Sequence, residues 1–156
     1  MLFRHPGGSP VGPEKKAWPM ILVDTGPLVA LFDSKDEHHA RCEKILKVIR
    51  EPLCTTTPVL TEAFHILEPN SVGSDRLREF IGKGGMSIWD IDNPSLIRAF
   101  ELMEAYRDRP MDLADASLVV AAEVLETDKI FTIDRDDFET YRARRGHRHC
   151  PLTIVR

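Results

Sequence analysis

The chain has few cysteines, no long apolar run and no surplus of positive charge. Its 156 residues include three cysteines, Cys42, Cys54 and Cys150, widely spaced and without a CxxC pair. That pattern argues against a disulfide framework or a zinc ribbon and suits a reducing compartment. No stretch approaches the length of a membrane-spanning helix, and the first residues carry no apolar signal-peptide core. A cytoplasmic protein with no membrane contact is therefore expected. The net charge of −4 leaves no polycationic footprint. Electrostatic capture of nucleic acid is not the default, and would need bound cations or a local basic patch. The segment "HRHC", His147 to Cys150, lacks a second cluster at metal-ligand spacing and reads as an exposed polar tail.

What the chain does have is an ordinary globular balance, 42% hydrophobic and 29% charged. Its length allows one domain with a substantial core and not two. Residues 1–19, "MLFRHPGGSPVGPEKKAWP", are rich in Gly and Pro and have no apolar periodicity. They read as a flexible extension. The domain is expected over 20–156, with Met20 a candidate start of translation.

From there, short apolar runs alternate with helical periodicity. "MILVD" reads as a buried parallel strand ending in Asp24, and "TGPLVALFD" turns into a helix. A helix is expected over about Asp36–Arg50, with Cys42, Ile45, Leu46 and Ile49 as its stripe. "LCTTT" reads as a strand, followed by a helix capped by Thr57 with Pro58 at its first position. Further helices are expected near Ser74–Gly82, in "PSLIRAFELMEAYR", and from "RPMDLADASLVVAAE" to about Thr127. Strands are expected over Met86–Ile91, in "KIFTID", and at an edge in "LTIVR". Strands alternating with helices imply an α/β domain, a mostly parallel central sheet flanked by helices.

The acids mark the chemistry. Asp24 and Asp134 stand at the C-terminal ends of expected strands, where open α/β sheets bind ligands. Asp115 opens a helix yet shares its inward side with Leu118, Val119 and Ala122. Glu62 lies beside Val59 and Ile66, near the inward boundary of its helix, whereas Thr61, His65 and Glu68 face outward. Taken singly, each acid has a structural explanation. Asp24 can cap the next helix, Glu62 can be solvated, and Asp134, Asp136 and Asp137 can turn the chain in "DRDDF". Asp112 reads as a cap or a support for Asp115. Taken together, four carboxylates in comparable positions point to one cavity.

Crowded carboxylates raise one another's pKa, and buried unpaired charge is costly. No Lys or Arg adjoins Asp24, Glu62 or Asp115 in sequence, and Arg135 adjoins only Asp134. A hard divalent cation resolves the conflict. Mg²⁺ takes a few carboxylates, keeps waters and binds phosphate, which points to phosphodiester hydrolysis.

The segments "MILVDTGPLVALFD", "TPVLTEAFHIL", "MDLADASLVVAAE" and "IFTIDRDDF" occur in the order and spacing of a PIN-domain nuclease, and the chain resembles that family over 20–156. With "DEHHARC", it is similar to the VapC toxins of toxin–antitoxin pairs. The resemblance implies a PIN-like α/β/α sandwich. It maps the family's acids onto Asp24, Glu62, Asp115 and Asp134, its frequent hydroxyl onto Thr132, and an additional acid onto Asp137. It also implies a Mg²⁺- or Mn²⁺-dependent endoribonuclease acting on structured RNA, commonly tRNA or rRNA. A homodimer and a small cognate antitoxin follow from the same likeness. In this scheme Asp24 and Asp115 hold the principal ion, and Glu62 and Asp134 contribute directly or through water.

Rival readings are a PIN nuclease outside the toxins, acting in RNA processing or on DNA, and a non-catalytic binding module of the same fold. A phosphatase of the haloacid dehalogenase type would need DxD where the first strand ends in "DTG". For RNA docking, "YRARRGHRH" supplies Arg142, Arg144, Arg145 and Arg148. The same segment reads equally well as a solvated tail or a contact for acidic groups of an antitoxin. His38 and His39 read as surface or capping residues.

Overall fold

The computed structural model describes residues 19–156. The expected extension over 1–19 falls, apart from Pro19, outside the described residues. The first strand, β1 (Ile21–Val23), leads into α1 (Thr25–Phe32) and α2 (His39–Val48), and β2 (Leu53–Thr56) into α3 (Thr57–Leu67) and α4 (Val72–Gly82). Then come β3 (Ser87–Trp89), α5 (Asn93–Ala105), α6 (Leu113–Val124), β4 (Lys129–Phe131) and α7 (Arg135–Thr140). The chain closes with β5 (Arg142–Arg145), β6 (Arg148–Pro151) and β7 (Thr153–Ile154).

Five strands form one sheet in the order β3-β2-β1-β4-β7, parallel throughout. Central β1 is buried along its whole length, as its unbroken apolar run requires. Ile21 sits between Leu53 of β2 and Lys129 of β4. The chain moves outward from β1 through β2 to β3, then returns to the other side of β1 with β4. That reversal opens a crevice beyond the carboxyl ends of β1 and β4.

Helix α6 is buried almost all round, from Ala114 through Ala122 with only Asp115 half-exposed. Its small residues let it pack closely against α5, α3 and the central strands. Burying side chains such as Leu118 and Val119, both fully enclosed, contributes about 1.5–3 kcal/mol each.

Close approach also explains a glycine. A Cβ on Gly73 in α4 would lie 2.5 Å from the Phe32 carbonyl oxygen that ends α1. Alanine gains roughly 1 kcal/mol in helix propensity but must displace backbone, so Gly73→Ala is expected to destabilise the fold by about 1–3 kcal/mol. Gly82→Ala, which meets open space, is the control in denaturant titrations. Equal midpoints for the two variants would contradict this packing. At the far end of α4, Gly84 (φ +79°) and Gly85 donate to the carbonyls of Ile81 and Phe80, closing the helix.

Several sequence expectations shift. Thr56, not Thr57, caps α3, because β2 runs straight into the helix and the extended Thr56 accepts the Val59 N–H at 3.3 Å. Pro58 remains in the first turn. α2 begins at His39 because Asp33 and Asp36 close turns ahead of it, accepting the N–H groups of Lys35 and His38. Of its expected stripe only Cys42 is fully buried. "RDDFET" forms α7 instead of a turn, since Phe138 has a fully buried place to fill. Neither "HRHC" nor "YRARRGHRH" is a solvated tail. β5 and β6 pair antiparallel as a two-stranded hairpin, separate from the main sheet.

Candidate functional site

Asp24 follows the last residue of β1 and caps α1. Its Oδ1 accepts the Thr25 N–H at 2.7 Å, and its backbone N–H continues the ladder to the Phe131 carbonyl at 2.9 Å. Oδ2 accepts the Thr132 hydroxyl at 2.8 Å. The Thr132 oxygen in turn accepts the N–H of Asp134 at 3.0 Å, so one hydroxyl ties two acids together. Asp24 is only 7% exposed. Burial raises its carboxyl to about 6, the Thr132 and Thr25 bonds oppose the rise, and Glu62 and Asp112 add to it.

Asp115 lies in the first turn of α6 and gives its N–H to the capping Asp112 Oδ1 at 2.8 Å. Its Oδ2 accepts from the Tyr141 hydroxyl at 3.4 Å. Tyr141 is held edge-on between Tyr106 and Phe138. Burial, then the charges of Asp112, Asp24 and Asp137, push Asp115 up to about 8. Tyr141 is raised as well, chiefly by burial and then by Asp115. Glu62, half-buried on α3, is raised by burial and by Asp112. Thr25 lies beside Glu62 and slightly offsets that rise, yet its buried Oγ1 completes no well-formed hydrogen bond.

Asp134 is exposed at the N-terminus of α7, three residues beyond the end of β4 and not on the strand itself. Asp137 is half-buried, and its carboxyl is raised by burial and by Asp134. Arg109 stands 3.7 Å from it.

All of these acids line one cavity of about 660 Å³ at the β1/β4 crevice. Asp24, Glu62, Asp112, Asp115, Asp134 and Asp137 share its wall with Asp36 and His38, and neither Lys nor Arg lines it. Convergence of the four sequence-predicted acids is thus observed, with Thr132, Asp112 and Asp137 beside them. Sequence reasoning missed Asp36 and His38, both within "DEHHARC". His39 does cap, its Nδ1 lying 2.6 Å from the Ala30 carbonyl oxygen at the end of α1, but His38 reaches the acid cavity. The four arginines of "YRARRGHRH" do not line it.

A wall carrying seven carboxylates and an unpartnered buried hydroxyl, with Arg109 beside Asp137 as the nearest countercharge, fits a hard divalent cation. Among the described residues, no three His, Cys, Asp or Glu side chains are gathered into a ready-made chelate.

The PIN domain family profile matches residues 21–143. The chain belongs to the PIN-domain family. Among curated proteins, this PIN domain is similar to Ribonuclease VapC26 of Mycobacterium tuberculosis, at 28% identity over 82% of this chain and 96% of the relative. Its fold matches that of M. tuberculosis VapC20, a sarcin-ricin loop cleaving toxin, with a TM-score of 0.67 and 18% identity over 74% of this chain and 91% of that one. A toxin–antitoxin complex from Klebsiella pneumoniae matches with a TM-score of 0.60 and 19% identity, over 77% of this chain and 91% of that one. The five-stranded parallel sheet flanked by helices is the PIN fold, as the sequence implied.

Proposed function

We propose that this chain is a Mg²⁺- or Mn²⁺-dependent endoribonuclease and the toxin of a VapBC-type pair. One observation carries the chemistry: seven carboxylates line a single cavity at the sheet's switch point with no cationic side chain among them. The similarity to a named ribonuclease over nearly its whole length supports RNA as the substrate. The likeness to a toxin–antitoxin complex supports a small antitoxin partner.

Asp24 and Asp115 are the groups that would hold the ion, with Glu62 and Asp134 contributing directly or through water. A divalent cation bound there supplies water activation and neutralises phosphate charge. The chain's own residues prepare the site. Thr132 orients Asp24 and the Asp134 backbone together, Asp112 anchors the first turn under Asp115, and the Tyr141 hydroxyl meets the Asp115 carboxylate. Because burial and the neighbouring acids raise Asp115, a cation held there would be bound more readily at higher pH.

A tRNA or rRNA target, a homodimer and a cytoplasmic setting belong to the same reading. Among the described residues, no helix is long and apolar enough to cross a membrane. Purified protein incubated with total tRNA and rRNA in Mg²⁺ or Mn²⁺ is expected to give discrete fragments that vanish in EDTA. Single-stranded DNA serves as the competing substrate. Intact RNA under all metal conditions would refute the nuclease assignment. Growth arrest on expression, relieved by a short neighbouring reading frame, is the expected result for the toxin assignment.

A further inference from the structure

We propose that the β5–β6 hairpin is a docking arm for RNA phosphates, with Arg144 and Arg148 as its contacting groups and Arg142 and Arg145 as its internal supports. The proposal rests on the reading of this chain as an RNA enzyme and assigns it a second point of contact with substrate, outside the acid cavity.

The four arginines, equivalent in the sequence, divide into two pairs in the structure. Arg142 Nη1 donates to the carbonyls of Glu139, Thr140 and Tyr141, sealing the end of α7. Arg145 Nη2 donates to the Thr127 carbonyl at 2.8 Å. Arg144 and Arg148 are exposed, and their guanidinium groups have no partner among the described residues.

The arm is firmly mounted. The Arg144 backbone N–H donates to Glu123 Oε1 at 2.8 Å. Glu123, itself 9% exposed, is gripped by the Arg98 guanidinium at 2.9 and 3.0 Å. Glu123 stands eight residues along α6 from Asp115, or about 12 Å at 1.5 Å per residue. The same helix therefore carries an acid of the cavity at one end and the basic arm at the other.

The strand register is costly for the free protein. Arg145 lies directly opposite Arg148, and Arg144 opposite His149. Like charges facing each other across strands are destabilising, and a hairpin serving stability alone would place an acid there. No Asp or Glu occurs after Glu139 in the chain. The hairpin also exposes no large apolar side chain, so it lacks the apolar centre typical of a stable protein–protein interface. A polyanion is the occupant that this surface fits, and its phosphates are contacted for position and not for sequence.

The test is binding of a short fluorescent single-stranded RNA by the full chain in EDTA, so that no cleavage intervenes. Arg144→Ala/Arg148→Ala is expected to lower the slope of log affinity against log salt by about 1.4. Affinity should fall roughly ten- to thirtyfold at 0.1 M salt. The double Arg→Lys variant should recover most of it, because a phosphate contact needs the charge more than the fork. Melting temperature should not fall, and relief of the Arg145–Arg148 repulsion should raise it slightly. Unchanged RNA affinity and salt slope would overturn the proposal. So would a loss confined to polyglutamate, which would make the arm a dock for an acidic protein. Wild-type chain that binds through the arm yet cleaves no RNA with metal would overturn the nuclease reading and not the arm.

Discussion

Asp24→Asn and Asp115→Asn are each expected to lower metal-dependent RNA cleavage about a hundredfold or more. Both carboxylates reach the cavity from rigid positions, one at the end of a fully buried strand and one in the first turn of the most buried helix. Asparagine keeps the shape and the capping oxygen but removes the charge that would hold a cation. Lost activity therefore should not come with lost folding, and circular dichroism is the control. Asp112 separates the two roles. Asp112→Asn retains an N-cap oxygen for the Asp115 N–H and should keep much more activity. Asp112→Ala should cost about 1 kcal/mol of stability through the lost cap. Single-turnover cleavage over a Mn²⁺ series measures the comparison. Full activity in Asp24→Asn or Asp115→Asn would remove that residue from the machinery.

The second large effect is on stability. Asp115 is held up to about 8 and Asp24 to about 6, against an ordinary value near 3.8. Between roughly pH 4 and 8 the folded chain therefore keeps protons that the unfolded chain has lost. These two groups thus make stability fall as pH rises through that window. In EDTA, Asp115→Asn is expected to melt higher than the wild type at pH 8, and the gap should close near pH 4. A divalent cation is expected to reverse the order by binding the deprotonated acids. At a concentration one hundred times its Kd it would stabilise the wild type by about 2.7 kcal/mol. The rise in Tm should be larger at pH 8 than at pH 5, and smaller in the variant. A wild-type Tm indifferent to Mg²⁺ and Mn²⁺ at pH 8 would contradict a metal site.

Much of this was legible because it is encoded within a few neighbouring residues. The unbroken run Ile21–Val23 states its own burial, and Asp24 after it marks the crevice end of the strand. Asp112 three residues before Asp115 announces a cap, and the structure places that bond at 2.8 Å. The same local logic misplaced the α3 cap by one residue, since two adjacent threonines offer identical chemistry and only the path of β2 into the helix selects Thr56. It also read "DRDDF" as turn-forming, where the enclosed site for Phe138 makes it helical.

By itself, then, the sequence determined the alternation of strands and helices, the capping of α1 by Asp24 and of α6 by Asp112, and four acids placed where they can line one cavity. Those properties follow from periodicity, capping and charge at short range. Only the tertiary structure decided that β4 lies beside β1, so that Thr132 reaches Asp24 across 108 positions of sequence while holding the Asp134 N–H. It likewise brought His38 and Asp36 to the cavity, and it consumed Arg142 and Arg145 while leaving Arg144 and Arg148 free among the described residues. Those outcomes depend on which distant backbone carbonyls and carboxylates a side chain meets, and residue type and local spacing carry no record of that.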